Sequence, residues 1–383
     1  MLYFDHNATT TLLPAAKQAW IEAVEQFPGN PSSPHRLGAR ADGALQGARE
    51  ALAGILGCDA LDIVWTSGAT ESNNTVFRHL AAVLAPDEEV LVSAVEHPSV
   101  MASSRWLGKR MRSIPVNRSG AASMDWLNAE LSKRRPGAVV LMAANNETGA
   151  LQPWREALAL CRDREVPFAC DATQWIGKLP AKGLGACDFL SGSAHKFGGP
   201  RGVGFLKCPP RSRLTPLLAG GKQEEGRRAG TENVAGVLSM MAALAVREGA
   251  LAQDGQQARS EWRSEFERRL VADLPGAEIV ASGTYRLWNT VSALMPEVDC
   301  RQRWVVKLDK AGCAASTGSA CASGQEEPSH VLAAMGFSPA EAGRALRFSS
   351  GWETTQEDWD QLLAFLRQVR EGMREATLET RKA

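Results

Sequence analysis

Short apolar runs that alternate with helical segments are the feature of this sequence that most limits its possible folds. Residues 38–56 carry Ala, Leu and Ile at helical spacing, and residues 154–164 form another helical segment. The apolar runs with the length of buried strands are 62–66, 90–93, 138–142, 167–170, 189–190 and 203–207. Strands that alternate with helices predict an α/β fold with a mostly parallel sheet.

The C-terminal part of the chain has a different pattern. A long amphipathic stretch at about 235–271 leads to strand-like runs near 288–294 and 304–308. A final helix is expected over about 355–375, because its apolar residues fall on one helical face. This order of elements predicts a second, smaller α/β unit after the first.

These patterns suggest how the 383 residues divide into domains. A chain of this length is long enough for two or three domains. We expect a large domain over 15–254 and a small α/β domain over 255–383, joined by the N-terminal segment 1–14.

The balance of charge excludes several classes of partner. Lys plus Arg and Asp plus Glu both number 43, so the formal net charge is zero. The sequence therefore lacks the basic field that favours binding to nucleic acid or to a membrane surface. We find neither a secretory signal pattern nor an uncharged apolar stretch long enough to span a membrane. We expect a cytoplasmic protein with no direct nucleic-acid or membrane contact.

The eight cysteines show neither a Cys-x-x-Cys pair nor a ladder of Cys and His ligands. This pattern predicts reduced thiols and no metal site. Cys321 differs from the other cysteines, because it lies in a run of small residues, 315–324, with almost nothing apolar to pack it. That setting favours a reactive thiol on a loop over an inert core thiol.

Three other segments could carry chemistry. In 66–74 a predicted strand leads through Gly68 and Thr70 into a predicted helix. The N-terminus of a helix can bind phosphate. Ser and Thr at this position are also ordinary helix caps, so both interpretations stay open. Asp171 ends an apolar strand, where a carboxylate either meets a ligand or caps the strand. Lys196 lies in a Gly-rich turn after another strand. It is either a nucleophile that forms a Schiff base or an ordinary surface lysine.

Taken together, these segments resemble the cysteine desulfurase branch of the class V aminotransferases, which are fold-type I enzymes dependent on pyridoxal phosphate (PLP). The similarity is greatest to the NifS/IscS group, known for a Ser/Thr-Gly-Ser-Ala-Cys loop. It runs in the same order from Tyr3 nearly to the C-terminus. The further matching segments are 3–10, 29–33, 95–98, 144–149, 220–224, 228–233 and 346–349.

The resemblance implies roles around the PLP ring. Lys196 is similar to the lysine that carries PLP, and Asp171 to the acid that pairs with the pyridine nitrogen. Gln174 is expected to donate a hydrogen bond to the ring hydroxyl oxygen. His97 is expected to stack on the ring, with proton movement as a second role.

The resemblance also implies ligands for the phosphate and for the substrate. Asn146 and Arg347 are expected to hold the substrate carboxylate, with Asn146 also in the cofactor-binding set. Thr231 is expected to reach the phosphate of a neighbouring subunit, which implies a homodimer. The remaining expected phosphate ligands are Ala69 (through its backbone), Thr70, Ser193 and His195.

The function that this resemblance implies is removal of sulfur from L-cysteine, giving L-alanine and a persulfide on Cys321. A sulfur-acceptor protein, such as an iron–sulfur scaffold or a component of a thiolation pathway, would then take the sulfur. Selenocysteine cleavage or another class V reaction is an alternative on the same scaffold. An inactive sulfur-transfer scaffold is an alternative of another class. Cys321 argues against a simple aminotransferase, which has no use for such a thiol.

The chain departs from the family pattern at a few positions. Lys222 stands where the glycine-rich segment usually carries Gly, and Trp175 where a small residue is expected. Trp352 and Glu353 stand where Arg-Phe is frequent. We expect these departures to leave the core chemistry unaffected, and they leave the identity of the acceptor partner open.

Overall fold

The computed structural model describes residues 1–209, 214–253, 255–297, 301–317 and 329–382. Cys321 lies outside the described residues, so its predicted role stays a prediction. The strands are β1 Leu2–Tyr3, β2 Ile63–Thr66, β3 Val90–Ser93, β4 Met111–Ile114, β5 Ala138–Val140, β6 Phe168–Asp171, β7 Phe189–Ser193, β8 Gly204–Lys207, β9 Glu278–Ile279, β10 Thr290–Leu294, β11 Cys313–Ala314 and β12 Ala345–Ser349. The α-helices are α1 Pro14–Gln26, α2 Arg36–Leu56, α3 Ala69–Val83, α4 Pro98–Ser103, α5 Met124–Lys133, α6 Trp154–Arg162, α7 Val234–Ala252, α8 Gln256–Asp273, α9 Arg301–Lys310, α10 His330–Ala334, α11 Pro339–Gly343 and α12 Gln356–Lys382.

The larger sheet has the strand order β2-β8-β7-β6-β5-β3-β4 among the described residues. Neighbours from β7 to β4 are parallel, and β8 is antiparallel to both β2 and β7. Except for β4, these strands are buried along their whole length, as expected when helices cover both faces. The predicted α/β fold with a mostly parallel sheet is confirmed.

The smaller half is built on an antiparallel sheet of order β12-β10-β9. Its core contains Phe4, Phe266, Trp304, Phe348 and Trp359, all of them buried. The N-terminal segment belongs to this core, since β1 pairs with β11 and the Ser349 amide donates to the Phe4 carbonyl at 2.8 Å. The domain limits 15–254 and 255–383 stay a prediction.

The predicted amphipathic stretch at 235–271 is two helices, α7 and α8. Helix α7 has the length and hydropathy of a membrane span, but half of that window is buried inside the protein. It packs against α1 and α2, as a core helix does. Packing inside the larger half of the molecule therefore explains why α7 is so apolar.

The strand predicted over 304–308 is wrong, because these residues form part of α9. Trp304 and Leu308 are fully buried, whereas Val306 is 53% exposed. Residues four apart share one face of a helix, whereas a strand would bury every second residue. The adjacent Val305 and Val306 are typical of strands, and the helical packing of Trp304 and Leu308 overrides that local preference.

We expect Trp304→Ala to reduce stability by about 3–5 kcal/mol, because it leaves a large cavity in the core. Val306→Ala, the matched control, should change stability by about 0.5 kcal/mol or less, because it alters an exposed position. The free energy of unfolding in urea measures both. Equal losses for the two variants would contradict the helical register.

Candidate active site

A cavity of about 490 Å³ opens at the edge of the larger sheet where β2, β3, β5, β6 and β7 end. Its volume is in the range of about 300–1,000 Å³ that is typical of small-molecule sites. The cavity brings together most of the residues singled out in the sequence. Those that line it are Ala69, Thr70, His97, Asn146, Asp171, Gln174, Ser193, His195 and Lys196.

One end of the cavity is formed by the first turn of α3. The N-cap position is Gly68, with φ of +148°, so no Ser or Thr side chain caps this helix. A Cβ at Gly68 would lie 3.3 Å from Ser193 Oγ on the facing strand, so glycine keeps this approach open. The N–H groups of a helix start have no partner within the helix and attract anions. This end of the cavity therefore suits a phosphate.

His195 stands beside that helix start, and its Nδ1 lies 3.1 Å from Thr9 Oγ1. Burial, with the nearby positive charge of Lys196 as the next cause, lowers the pKa of His195 to about 4. The imidazole is therefore neutral at neutral pH, and it contributes a hydrogen bond rather than a charge.

Asp171 is buried at the end of β6 and lines the cavity. Its Oδ2 accepts a hydrogen bond from Asn73 Nδ2 at 2.8 Å, and its Oδ1 accepts one from the Thr173 amide at 2.9 Å. Asn73 Oδ1 accepts in turn from Ser191 Oγ at 2.8 Å, which fixes the orientation of the amide. The carboxylate is thus held rigidly by neutral donors at the cavity wall.

His97 is joined to Asp171 through the same amide. Asn73 Nδ2 donates to Ser99 Oγ at 2.9 Å, and Ser99 Oγ lies 2.8 Å from His97 Nδ1. His97 is the N-cap of α4, where Nδ1 accepts from the Ser99 amide at 3.1 Å. The proton of the neutral ring is therefore on Nε2. Burial lowers the pKa of His97, which favours this neutral form.

Lys196 follows β7 and reaches back to the N-terminal segment. Its Nζ donates to the Asn7 carbonyl at 2.5 Å and to the Ala8 carbonyl at 2.9 Å. Burial first, and then the charge of Arg347, lowers the pKa of Lys196 to about 8. An amine with such a pKa is partly neutral at physiological pH, as a nucleophile or a base must be. Because Lys196 is partly buried on the cavity wall, it differs from an ordinary exposed surface lysine.

Gln174 is oriented by a residue that the sequence analysis missed. Lys178 donates from Nζ to Gln174 Oε1 and, at 3.0 Å, to Asn7 Oδ1. This leaves the Gln174 amide nitrogen as donor, and it contacts the Asn7 carbonyl at 3.0 Å. Lys178 is buried, and burial lowers its pKa well below the ordinary value. A lysine four residues after Gln174, in an otherwise apolar turn, was the available signal.

Two further polar atoms at the cavity await a partner. Asn146 Oδ1 and Thr173 Oγ1 are buried and have no hydrogen-bond partner among the described residues. Both residues line the cavity. A bound polar ligand would satisfy these atoms, which otherwise cost free energy.

The remaining predicted residues lie elsewhere. Arg347, in β12, is not on the cavity wall but directly behind Asn146, whose carbonyl accepts from Arg347 Nη1 at 3.0 Å. Thr231 is exposed, three residues before α7, and does not line this cavity. The site residues Asn73, Ser99 and Lys178 were not predicted individually, because their roles depend on contacts distant in sequence.

The departures Trp175 and Trp352 have a structural explanation. Both are buried, and their indole nitrogens donate to the carbonyls of Pro180 at 3.0 Å and Gly177 at 2.8 Å. They thus fix the turn that carries Gln174. Glu353 forms an ion pair with Arg247 at 2.8 Å. The two tryptophans therefore pack inside the protein and do not form an exposed surface.

Comparison with known proteins identifies the family of this chain. The family model described as aminotransferase class-V matches residues 2–362, and this is the class that the fold defines. A cysteine desulfurase of Klebsiella pneumoniae is 39% identical over 379 residues, covering 97% of this chain and 94% of the relative. Cysteine desulfurase IscS of Dictyoglomus turgidum is 35% identical over 380 residues, covering 97% and 95%. The solved structure of a NifS-like protein from Rickettsia africae has a TM-score of 0.87 at 29% identity, covering 97% of this chain and 99% of that one. The chain belongs to the cysteine desulfurase family.

Lys196 should react with an amine-directed reagent such as fluorodinitrobenzene with half-maximal rate near pH 8 in the cofactor-free enzyme, because only the neutral amine is nucleophilic. Arg347→Gln should move this midpoint upward, since it removes a neighbouring positive charge. Arg344→Gln, close to the same strand, serves as the control and should leave it in place. Mass spectrometry of the labelled peptide gives the rate, and a midpoint near the value of about 10.4 for an unperturbed lysine would contradict the assignment.

Proposed function

We propose that this chain is a PLP-dependent cysteine desulfurase, which converts L-cysteine to L-alanine and collects the sulfur as a persulfide on Cys321. The observation that carries the proposal is the meeting of Lys196, Asp171 and His97 in one cavity. The pKa of Lys196 is lowered to about 8, and His97 is fixed in one tautomer. Membership of the cysteine desulfurase family supports the same reaction.

The residues of the cavity fit PLP. The helix start at Ala69 and Thr70, together with Ser193 and His195, offers neutral donors to a phosphate. Asp171 receives hydrogen bonds only from neutral groups among the described residues, so a protonated ring nitrogen would supply the missing positive partner. Gln174 would donate to the ring hydroxyl, and His97 would stack on the ring.

When bound, PLP supplies an electron sink that stabilises the negative charge left after the substrate Cα loses its proton. Lys196 Nζ is the group that takes this proton, because its lowered pKa leaves a neutral fraction at physiological pH. Asp171 keeps the ring-nitrogen proton in place. His97 holds its own proton on Nε2, where it can be passed on, since Nδ1 is occupied by the Ser99 amide.

Substrate binding and sulfur transfer complete the proposal. Arg347 and Asn146 would hold the α-carboxylate of L-cysteine. The Cys321 thiolate attacks the substrate sulfur, forming an S–S bond as the Cβ–S bond breaks, and protonation of Cβ gives L-alanine. The reaction is balanced without an external oxidant. The persulfide would then pass to an acceptor protein in the cytoplasm, such as an iron–sulfur scaffold.

The wild-type enzyme should release L-alanine and sulfide in equal amounts from L-cysteine in the presence of a reductant. Cys321→Ser should release no sulfide, because the thiol that receives the sulfur is gone. Cys58→Ser, which changes a half-buried thiol away from the cavity, is the matched control and should behave as wild type. Equal sulfide release from Cys321→Ser would show that another group accepts the sulfur.

We also propose that Thr231 completes the phosphate site of a second subunit in a homodimer. Its exposure, and its absence from the wall of its own subunit's cavity, support an action outside its own subunit. The segment that precedes it is anchored by a buried ion pair of Arg49 with Glu224, with Nη1 and Oε2 2.9 Å apart. Such an anchor would present Thr231 in a fixed position.

Mixing subunits tests this proposal. Thr231→Ala should weaken PLP binding, and mixed dimers with the inactive Lys196→Ala subunit should regain one complete site. Activity per Thr231→Ala subunit should therefore rise towards the wild-type value on mixing. Native mass spectrometry shows whether the subunits have exchanged. If they have and activity does not rise, Thr231 does not contribute to the site of the other subunit.

A further inference from the structure

The guanidinium of Arg347 already has a carboxylate partner within the chain. Its side chain is only 5% exposed, and Nη2 donates to Asp5 Oδ1 at 2.6 Å. Nη1 donates to the Asn146 carbonyl at 3.0 Å. A buried cation without an anion is costly, so Asp5 stabilises Arg347 when no substrate is present.

Asp5 is held in this position by backbone pairing on both sides. The His6 amide donates to the Ser349 carbonyl at 3.0 Å, and the Ser349 amide donates to the Phe4 carbonyl at 2.8 Å. The Phe4 amide donates to the Ala314 carbonyl at 2.9 Å. The segment therefore lies beside β12 as an added strand, and this backbone pairing places the Asp5 carboxylate against Arg347.

A substrate carboxylate that binds Arg347 bidentately must use one edge of the guanidinium. Every such edge includes a terminal nitrogen, and both terminal nitrogens of Arg347 already donate, one to Asp5 and one to Asn146. The incoming carboxylate therefore meets the negative charge of Asp5 at the same group. Two anions at one guanidinium repel each other, so one weakens the binding of the other.

We propose that Asp5 is an internal counter-ion that competes with the α-carboxylate of the amino acid for Arg347, and that it takes the guanidinium back when L-alanine leaves. This inference rests on the proposed role of Arg347 in substrate binding. It makes Asp5 a positioning and specificity-determining residue. Binding exchanges one carboxylate for another, which lowers affinity for the product and favours its release. A ligand without a carboxylate does not take part in this exchange.

Calorimetric titration of the PLP-loaded enzyme with L-alanine tests the proposal. Asp5→Asn keeps the shape and removes the charge, and it should lower the dissociation constant of L-alanine about three- to tenfold, where each tenfold corresponds to about 1.4 kcal/mol. L-Alaninol, which has an alcohol in place of the carboxylate, should bind Asp5→Asn as it binds wild type. In an Arg347→Gln background, Asp5→Asn should leave L-alanine binding unchanged. Asp5→Ser provides a second uncharged variant if Asp5→Asn does not fold.

Thermal unfolding gives an independent readout. The unfolding midpoint of Asp5→Asn should fall without ligand, because Arg347 loses its counter-ion, and saturating L-alanine should raise it more than in wild type. Weaker or unchanged L-alanine binding by Asp5→Asn would overturn the proposal, as would equal tightening of L-alaninol. If Arg347→Gln alone leaves L-alanine binding intact, the proposed substrate role of Arg347 fails and the inference fails with it.

Discussion

The parallel pairing of the central strands places most of the chemical groups of the candidate site at one edge of the larger sheet. Thr66 at the end of β2 and Ser193 at the end of β7 both pair with Gly204 of the antiparallel strand β8. Gly204 has no room for a side chain, because a Cβ there would lie 2.4 Å from the Gly192 carbonyl oxygen and 2.6 Å from Gly68 Cα. The phosphate end of the cavity thus depends on a close approach of backbones that only glycine permits. Asp171 then lies one strand away, at the end of β6.

The N-terminal segment joins this edge to the smaller half of the molecule. The Asn7 carbonyl accepts hydrogen bonds from Lys196 and Gln174, and its side-chain oxygen accepts from Lys178 and, at 3.1 Å, from Asn289. Asn7 Nδ2 donates to Thr290 Oγ1 at 2.9 Å. One residue therefore couples the nucleophilic lysine to β10. Lys178 is buried and Lys196 is partly buried, and burial lowers the pKa values of both lysines.

The sequence was sufficient for the fold class and for most of the cavity wall, and physical reasons explain what it did not provide. Buried strands have a strong local signal, which predicts the parallel sheet. The meeting of Asp171 and Lys196 was implied by the resemblance to cysteine desulfurases, and the sheet explains it, because the carboxyl ends of parallel strands lie at one edge. Residues 304–308 were misassigned because the adjacent valines favour strand, whereas the burial of Trp304 and Leu308 is decided by tertiary packing. The Asn73 amide joins His97 to Asp171 through contacts 26 and 98 residues away in sequence. No local pattern carries that information. The pairing of Asp5 with Arg347 spans 342 residues. Because of it, the cation expected to bind the substrate already has a carboxylate partner within the chain.

The proposed reaction transfers the sulfur of L-cysteine to Cys321. The most direct measurement is a single turnover of the PLP-loaded enzyme with L-cysteine labelled with heavy sulfur, without reductant, followed by alkylation and mass spectrometry of its peptides. The account predicts one added labelled sulfur atom on the peptide that contains Cys321 and unlabelled peptides for the other cysteines, with one L-alanine formed per sulfur gained. Labelled sulfur on a different cysteine, or L-alanine formed while no cysteine gains sulfur, would contradict it.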